Sequence, residues 1–329
     1  MNKSFNLPNK IPIFPLPNFI IFPNMTVPLN IFEPRYIQMI DDCMKVNRMI
    51  GIIQPKKSKQ KIPDLYKIGC AEKCTFCTTP QMWGVKVRWR PIENIILEIK
   101  NGIKDFNIGE IQFEDDSLTA NKKRLIELCT ELEKIGLPWC TPNGIKVNYH
   151  LSNQPDLFKS MKDSGCYQLT LACESGVQRV LDKIINKNLK VESIKPAVEN
   201  AKKAGLLVHT FWMLGYPGET YEEIQKTVDF AMSSGADSFS FSILSPLPGT
   251  PIYHKVLKEN LWWDNRSIKD ILYRSSLVKV DGFKNSEEFE KFVTEVNIKA
   301  NMLLKKNNPK RFEYKYGSSA EKKNLVKQT

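Results

Sequence analysis

Residues 205–235 read GLLVHTFWMLGYPGETYEEIQKTVDFAMSSG, one structural unit between two glycines. Leu207 to Met213 is an apolar, aromatic-rich run of strand length. Gly215 and Gly218 follow, where backbone can approach a ligand closely. Thr220 and Glu223 have the spacing of a capping box, and Ile224, Val228 and Ala231 then recur at helical period. Gly235 closes the helix as a left-handed cap, and Ser238 to Leu244 begins the next strand. Strand, glycine turn, helix, glycine: this order predicts a parallel sheet with right-handed crossovers.

The same rhythm extends in both directions. Gly136, Gly165 and Gly205 each end a helical or polar stretch, as Gly235 does. Gln168 to Ala172 and Ile111 to Phe113 are further strands. Ile92, Ile95, Ile96, Ile99 and Ile103 mark one earlier helix, and Leu125, Leu128, Cys129 and Leu132 another. About six units fit before Glu259, too few for a complete eight-fold barrel of roughly 250 residues. A partial barrel or an open doubly wound sheet is expected. From Leu261 onward the pattern thins to one helix between Ser286 and Lys306, a helical appendage with a basic tail.

The opening stretch differs. Seven of the 20 prolines fall at or before Pro34, which suits short strands joined by turns. Ile11 to Phe14, Met25 to Leu29 and Met49 to Gln54 are the strands; Arg35 to Lys45 is a helix with Tyr36, Ile40, Cys43 and Met44 on one face. A lysine-rich stretch from Lys56 to Lys61 marks the boundary. The expected domains are residues 1–60, 61–262 and 263–329.

Across 329 residues, 48 basic and 36 acidic side chains leave a net charge of +12. The excess is spread over helix faces and concentrates only in the tail, which reads as a solvated surface rather than a nucleic-acid footprint. No apolar run reaches a membrane span and no secretory signal is visible, so the cytoplasm is the expected compartment. Phosphate-cradling, dinucleotide and nucleophile-elbow motifs are all missing.

Eight cysteines in such a chain read as metal ligands or reactive thiols rather than disulfides. Three of them lie close together in Cys70-Ala71-Glu72-Lys73-Cys74-Thr75-Phe76-Cys77. Three thiolates on one loop suit a soft metal centre and leave one position open. Structural zinc is the alternative, but it normally takes four ligands, and Cys129, Cys140 and His150 lie far along the chain.

The C-x3-C-x2-C spacing, with an aromatic before the last cysteine, resembles the radical S-adenosylmethionine superfamily. The likeness runs from about Leu65 to Leu261. It is carried further by Cys77 to Gly84, Arg88-Trp89-Arg90, Phe113-Glu114-Asp115-Asp116-Ser117, Glu174-Ser175-Gly176, Leu214 to Thr220 and Pro246 to Pro251. These look like the branch whose members often carry a cobalamin-binding domain. The resemblance implies a (β/α)6 partial barrel and a [4Fe–4S] cluster on Cys70, Cys74 and Cys77. S-adenosylmethionine would chelate the fourth iron and be cleaved reductively, giving a 5′-deoxyadenosyl radical that abstracts hydrogen from a small-molecule or unidentified substrate. A flavodoxin or ferredoxin would supply the electron.

By the same resemblance, Phe76, Asp115, Glu174, Ser175, Gly215, Pro217, Gly218 and Glu219 would surround the cofactor. Three of these positions also have a plainer reading: Phe76 as a packed loop aromatic, Asp115 with Asp116 as a turn, Glu174 as a helix-start carboxylate. Arg88 and Arg90 suit either a cofactor carboxylate or surface ion pairs, and His209 reads as a core residue. The catalytic residues and the substrate are not legible.

Ile13-Phe14-Pro15-Leu16, Pro28 to Tyr36 and Leu65 to Ala71 resemble the first part of the substrate-binding domain of Lon proteases. The two likenesses meet at Gly69-Cys70. A protein-binding module with an inert barrel, and a chimeric reading frame, are therefore the competing readings. The segment also lacks glycine-rich nucleotide turns, so cobalamin is not expected to bind this chain.

Overall fold

The computed structural model describes residues 13–15, 34–45, 51–53 and 70–309, apart from 116, 148 and 272–274. Contacts divide the chain into two units, residues 1–65 and 66–329.

In the first unit β1 (Ile13–Pro15) pairs in parallel with β2 (Gly51–Ile53), Ile13 opposite Gly51 and Pro15 opposite Ile53. The helix α1 (Pro34–Lys45) lies between them in sequence. Cys43 is buried whereas Met44 is 55% exposed, so Met44 departs from the expected shared face. Adjacent helical residues diverge by about 100°, and the stripe turns away after Cys43. The Met25 to Leu29 strand and most of the Lon-like motifs lie outside the described residues.

The second unit alternates helix and strand. After α2 (Thr79–Trp83) and α3 (Ile92–Phe106) come β3 (Ile111–Gln112), α4 (Lys122–Ile135), β4 (Trp139–Lys146), α5 (Tyr149–Ser152) and α6 (Pro155–Asp163). Then follow β5 (Cys166–Glu174), a π-turn over Val180–Ile185, α7 (Ile194–Lys203), β6 (Leu207–Leu214), α8 (Tyr221–Met232) and β7 (Ser238–Ile243). The helices α9 (Pro251–Lys258) and α10 (Ser286–Asn307) complete it. The sheet order is β3-β4-β5-β6-β7, every pair parallel.

Local chemistry explains the boundaries. On α4 the Asn121 side chain accepts from Arg124 N at 3.0 Å, and Gly136, at φ 73°, donates back to Leu132 O. Leu125, Leu128 and Leu132 all turn into the core, worth roughly 2 kcal/mol each in apolar burial. The capping box at Thr220 and Glu223 forms as read, and Thr250 caps α9 by accepting from Tyr253 N. The strand β4 has no counterpart among the named expectations, because Thr141-Pro142-Asn143-Gly144 reads as a turn. A register shift between Thr141 and Ile145 absorbs these residues, and proline is tolerated at such a break.

Register sorts the sheet into two faces. Leu171, Thr210 and Phe239 align on the face beneath the helices, while Ala172, Phe211 and Ser240 align on the other. His209 aligns with Thr170 and Ser238 on that second face, its Nδ1 2.7 Å from Ser238 Oγ and its Nε2 3.1 Å from Ser240 Oγ. α10 contributes Phe289, Val293, Val296 and Ala300 to the main core. Its Asn297 accepts from Phe241 N at 3.0 Å and donates to Phe241 O at 2.9 Å, occupying the hydrogen-bonding edge of β7.

Candidate active site

The cysteine loop is held from three directions at one residue. Thr75 N donates to Ile185 O at 2.8 Å, Thr75 Oγ1 donates to Ile184 O at 2.7 Å, and Thr75 O accepts from Ile252 N at 3.0 Å. A π-turn widens the helical ring and frees carbonyls at its end, and the loop uses two of them. Cys77 N closes a turn on Cys74 O at 3.1 Å. Cys74 is buried, and Cys70 and Cys77 are half-buried. Burial pushes the Cys74 thiol up to about 12, against the pull of the Lys187 ammonium. Such a thiol releases its proton readily only to a metal. Among the described residues no three His, Cys, Asp or Glu side chains converge on a single ion. A four-iron cluster asks less, since each thiolate takes its own iron.

The end of β5 supplies a carboxylate to the same region. Glu174 follows a register shift and sits at φ 64°, a left-handed conformation that few non-glycine residues adopt. Its Oε1 accepts from Lys187 Nζ at 2.8 Å, with both side chains buried. Ser175 is engaged differently. Its hydroxyl lies 3.1 Å from Thr227 Oγ1 and accepts from Val177 N, fastening the strand end to α8.

The loop from Gly215 to Glu219 forms the third wall. A side chain at Gly215, which has φ 84°, would meet the Phe289 ring at 2.7 Å. Glu219 is fully buried, and its Oε2 accepts from Gly215 N at 2.9 Å and Tyr216 N at 3.1 Å. Burial pushes its carboxyl up to about 7. Pro217 is buried; Gly218 is exposed, its carbonyl accepting from Arg179 Nη2. Phe76 packs against Tyr216 with ring centroids 6.0 Å apart. Two buried polar atoms here, Tyr216 OH and Glu219 Oε1, have no partner among the described residues. Tyr216 lies within the influence of Glu174, Glu219 and Cys74, and burial with these negative groups keeps its phenol protonated. Unpaired buried donors and acceptors between a thiol loop and two carboxylates suit a polar ligand such as S-adenosylmethionine.

Asp115 is half-buried just beyond β3; Asp116 lies outside the described residues. Arg90 pairs with Glu98 and donates to Asn94 O, which is the ion-pair reading of that residue. Lys146 donates to Glu72 at 2.5 Å, inside the cysteine loop. Tyr216, Lys187 and Thr75 were not singled out by sequence. Tyr216 stands inside a motif that was; Lys187 has the look of one more solvated lysine.

The model of the Radical SAM superfamily matches residues 67–231. The chain is 32% identical over 235 residues to the cytidylyl-2-hydroxyethylphosphonate methyltransferase of Streptomyces wedmorensis, covering 70% of this chain and 43% of that protein. It is 26% identical over 206 residues to the anaerobic magnesium-protoporphyrin IX monomethyl ester cyclase of Cereibacter sphaeroides, covering 62% of this chain and 33% of that one. Among solved structures it is similar to the radical S-adenosylmethionine methyltransferase TsrM from Kitasatospora setae with cobalamin and a [4Fe–4S] cluster bound. That likeness has a TM-score of 0.52 at 20% identity, over 59% of this chain and 38% of the other. The chain thus spans less than half the length of these relatives, and the structural likeness concerns the parallel α/β fold.

Proposed function

The chain belongs to the radical SAM superfamily, and from that premise we propose that residues 66–309 form an enzyme that cleaves S-adenosylmethionine reductively to begin hydrogen abstraction. A [4Fe–4S] cluster with S-adenosylmethionine supplies the radical chemistry when bound. The chain's own residues hold, orient and enclose. Cys70, Cys74 and Cys77 are the ligands, on a loop that Thr75 fixes. Glu174 and Tyr216 would offer hydrogen-bonding groups to the ribose or methionyl part, and Phe76 would pack against the adenine. Glu219 braces the backbone of Gly215 and Tyr216, with its second oxygen left for a donor. Asp115 is a candidate for the methionyl amino group. The observation that carries the reading is the pinned three-cysteine loop facing two unpartnered buried polar atoms.

Anaerobic reconstitution is expected to load about four irons, and the reduced protein should release methionine from S-adenosylmethionine. Cys74→Ala should abolish both; iron uptake and cleavage unaffected by that change would refute the assignment. A flavodoxin or ferredoxin is the proposed reductant. The substrate is a small molecule, with alkyl transfer or ring formation as the reaction class in view of the relatives' names.

We further propose that this chain does not retain cobalamin by itself. Gly51 is the only glycine before Gly69, which leaves no glycine-rich turn to bring backbone against a nucleotide tail. Equilibrium dialysis with hydroxocobalamin is the test, and tight stoichiometric retention would overturn it. Among the described residues no helix is long and apolar enough to cross a membrane; the cytoplasm remains the proposed compartment.

A further inference from the structure

Among the described residues Lys187 is the only buried lysine or arginine. Removing an ammonium from water is costly, and a single ion pair seldom repays it; apolar residues of similar volume often do better. Its partner Glu174 adds a second cost, a left-handed backbone that side-chain-bearing residues seldom adopt. Two such costs at one contact point to a role beyond holding the fold together.

Placement indicates what that role is. Lys187 lies two residues beyond the π-turn, after Asn186, and its N–H donates to Leu181 O at 2.9 Å. The end of that turn grips the cysteine loop on both sides of Cys74: Ile185 O accepts from Thr75 N, and Asn186 Nδ2 donates to Lys73 O at 3.3 Å. The ammonium is thereby carried to the cysteine loop by the element that anchors the loop. Lys187 lines the same cleft as Ala71, Glu72 and Lys73 of the cysteine loop.

We propose that Lys187 sets the reduction potential of the iron–sulfur centre held by Cys70, Cys74 and Cys77, its buried ammonium favouring the reduced state and Glu174 opposing it. This rests on the cluster assignment above. One electron enters from a low-potential one-electron donor, no bond forms or breaks, and the centre's negative charge rises by one. That added charge is attracted to Lys187 and repelled by Glu174 through a medium of low polarisability.

The test is a potentiometric titration of the reconstituted full chain without S-adenosylmethionine, using dithionite and mediators and following the reduced cluster by electron paramagnetic resonance. Lys187→Met should lower the reduced-to-oxidised ratio at fixed potential by about tenfold, or 59 mV for one electron. Lys187→Arg should keep the wild-type ratio. Glu174→Gln should move the ratio upward, the opposite direction, which a merely structural role would not produce. Should Lys187→Met fail to fold, the double variant Lys187→Met/Glu174→Gln leaves no uncompensated buried charge, and its ratio should fall below that of Glu174→Gln. An unchanged potential in Lys187→Met, or shifts of one sign in both single variants, overturns the proposal. If the wild type takes up no iron, the cluster assignment itself fails, and this inference with it. A loaded wild type whose variants all share its potential sinks only the inference.

Discussion

Glu219 combines full burial, two backbone donors on one oxygen and none on the other. In the folded loop its carboxyl holds a proton up to about 7, whereas an unfolded one loses it near the ordinary 4.5. Folding therefore takes up a proton between those values. Its contribution is complete below about 4.5, declines as pH rises to about 7 and is flat beyond, a span of roughly 3 kcal/mol. Glu219→Gln keeps the accepting oxygen and places an amide donor at the unpartnered position. Its melting temperature should change less than that of the wild type between pH 5 and pH 8. Equal slopes for the two proteins would show that the carboxyl is already ionised in the fold. Tyr216 and Lys187 teach a related lesson about side chains: their importance comes from burial, which a single residue letter does not announce.

At the scale of elements, the π-turn over Val180–Ile185 joins the cysteine loop to the end of β5. Thr75→Val removes one hydroxyl donor, keeps the shape and leaves Ile184 O without that bond. It should cost about 1 kcal/mol and shift the melting temperature by a few degrees. Cluster loss to an iron chelator should also be faster; an unchanged loss rate would mean that the backbone bonds alone hold the loop. Much of the element order was legible because glycines punctuate it: the residues assigned to β5, β6 and β7 fall within one or two of the observed ends. The strand β4 was hidden by Pro142 and Gly144, which fall in the break of its ladder with β5, between the paired residues Thr141 and Ile145. The π-turn was hidden for another reason. Val180 to Ile185 has an ordinary helical composition, and the wider ring is imposed by what it contacts. Likewise the closeness of the three cysteines is read from their spacing, while the groups that hold their loop are contributed by chain more than a hundred residues away.

For the whole molecule, contacts separate residues 1–65 from 66–329, and the candidate site is built from the second unit. A chain lacking residues 1–60 is expected to load the same amount of iron as the full chain. Loss of the cluster on that deletion would make the first unit part of the site. Within the second unit, α10 contributes to the core, and Phe289 abuts Gly215 in the loop that runs to Glu219. Its Asn297 has a consequence for the dynamics of the sheet. The Phe241 amide belongs to the last strand of the order, a place where amide hydrogens commonly trade rapidly with solvent deuterium. Because a carboxamide fixed on α10 accepts that hydrogen, β7 should exchange as slowly as β5 and β6 in the middle of the sheet. Asn297→Ala should make the Phe241 amide exchange faster while leaving Leu171 protected, as read by deuterium uptake of the separated peptides. Equal protection in both proteins would mean that the packing of α10, rather than its amide, keeps water from the strand.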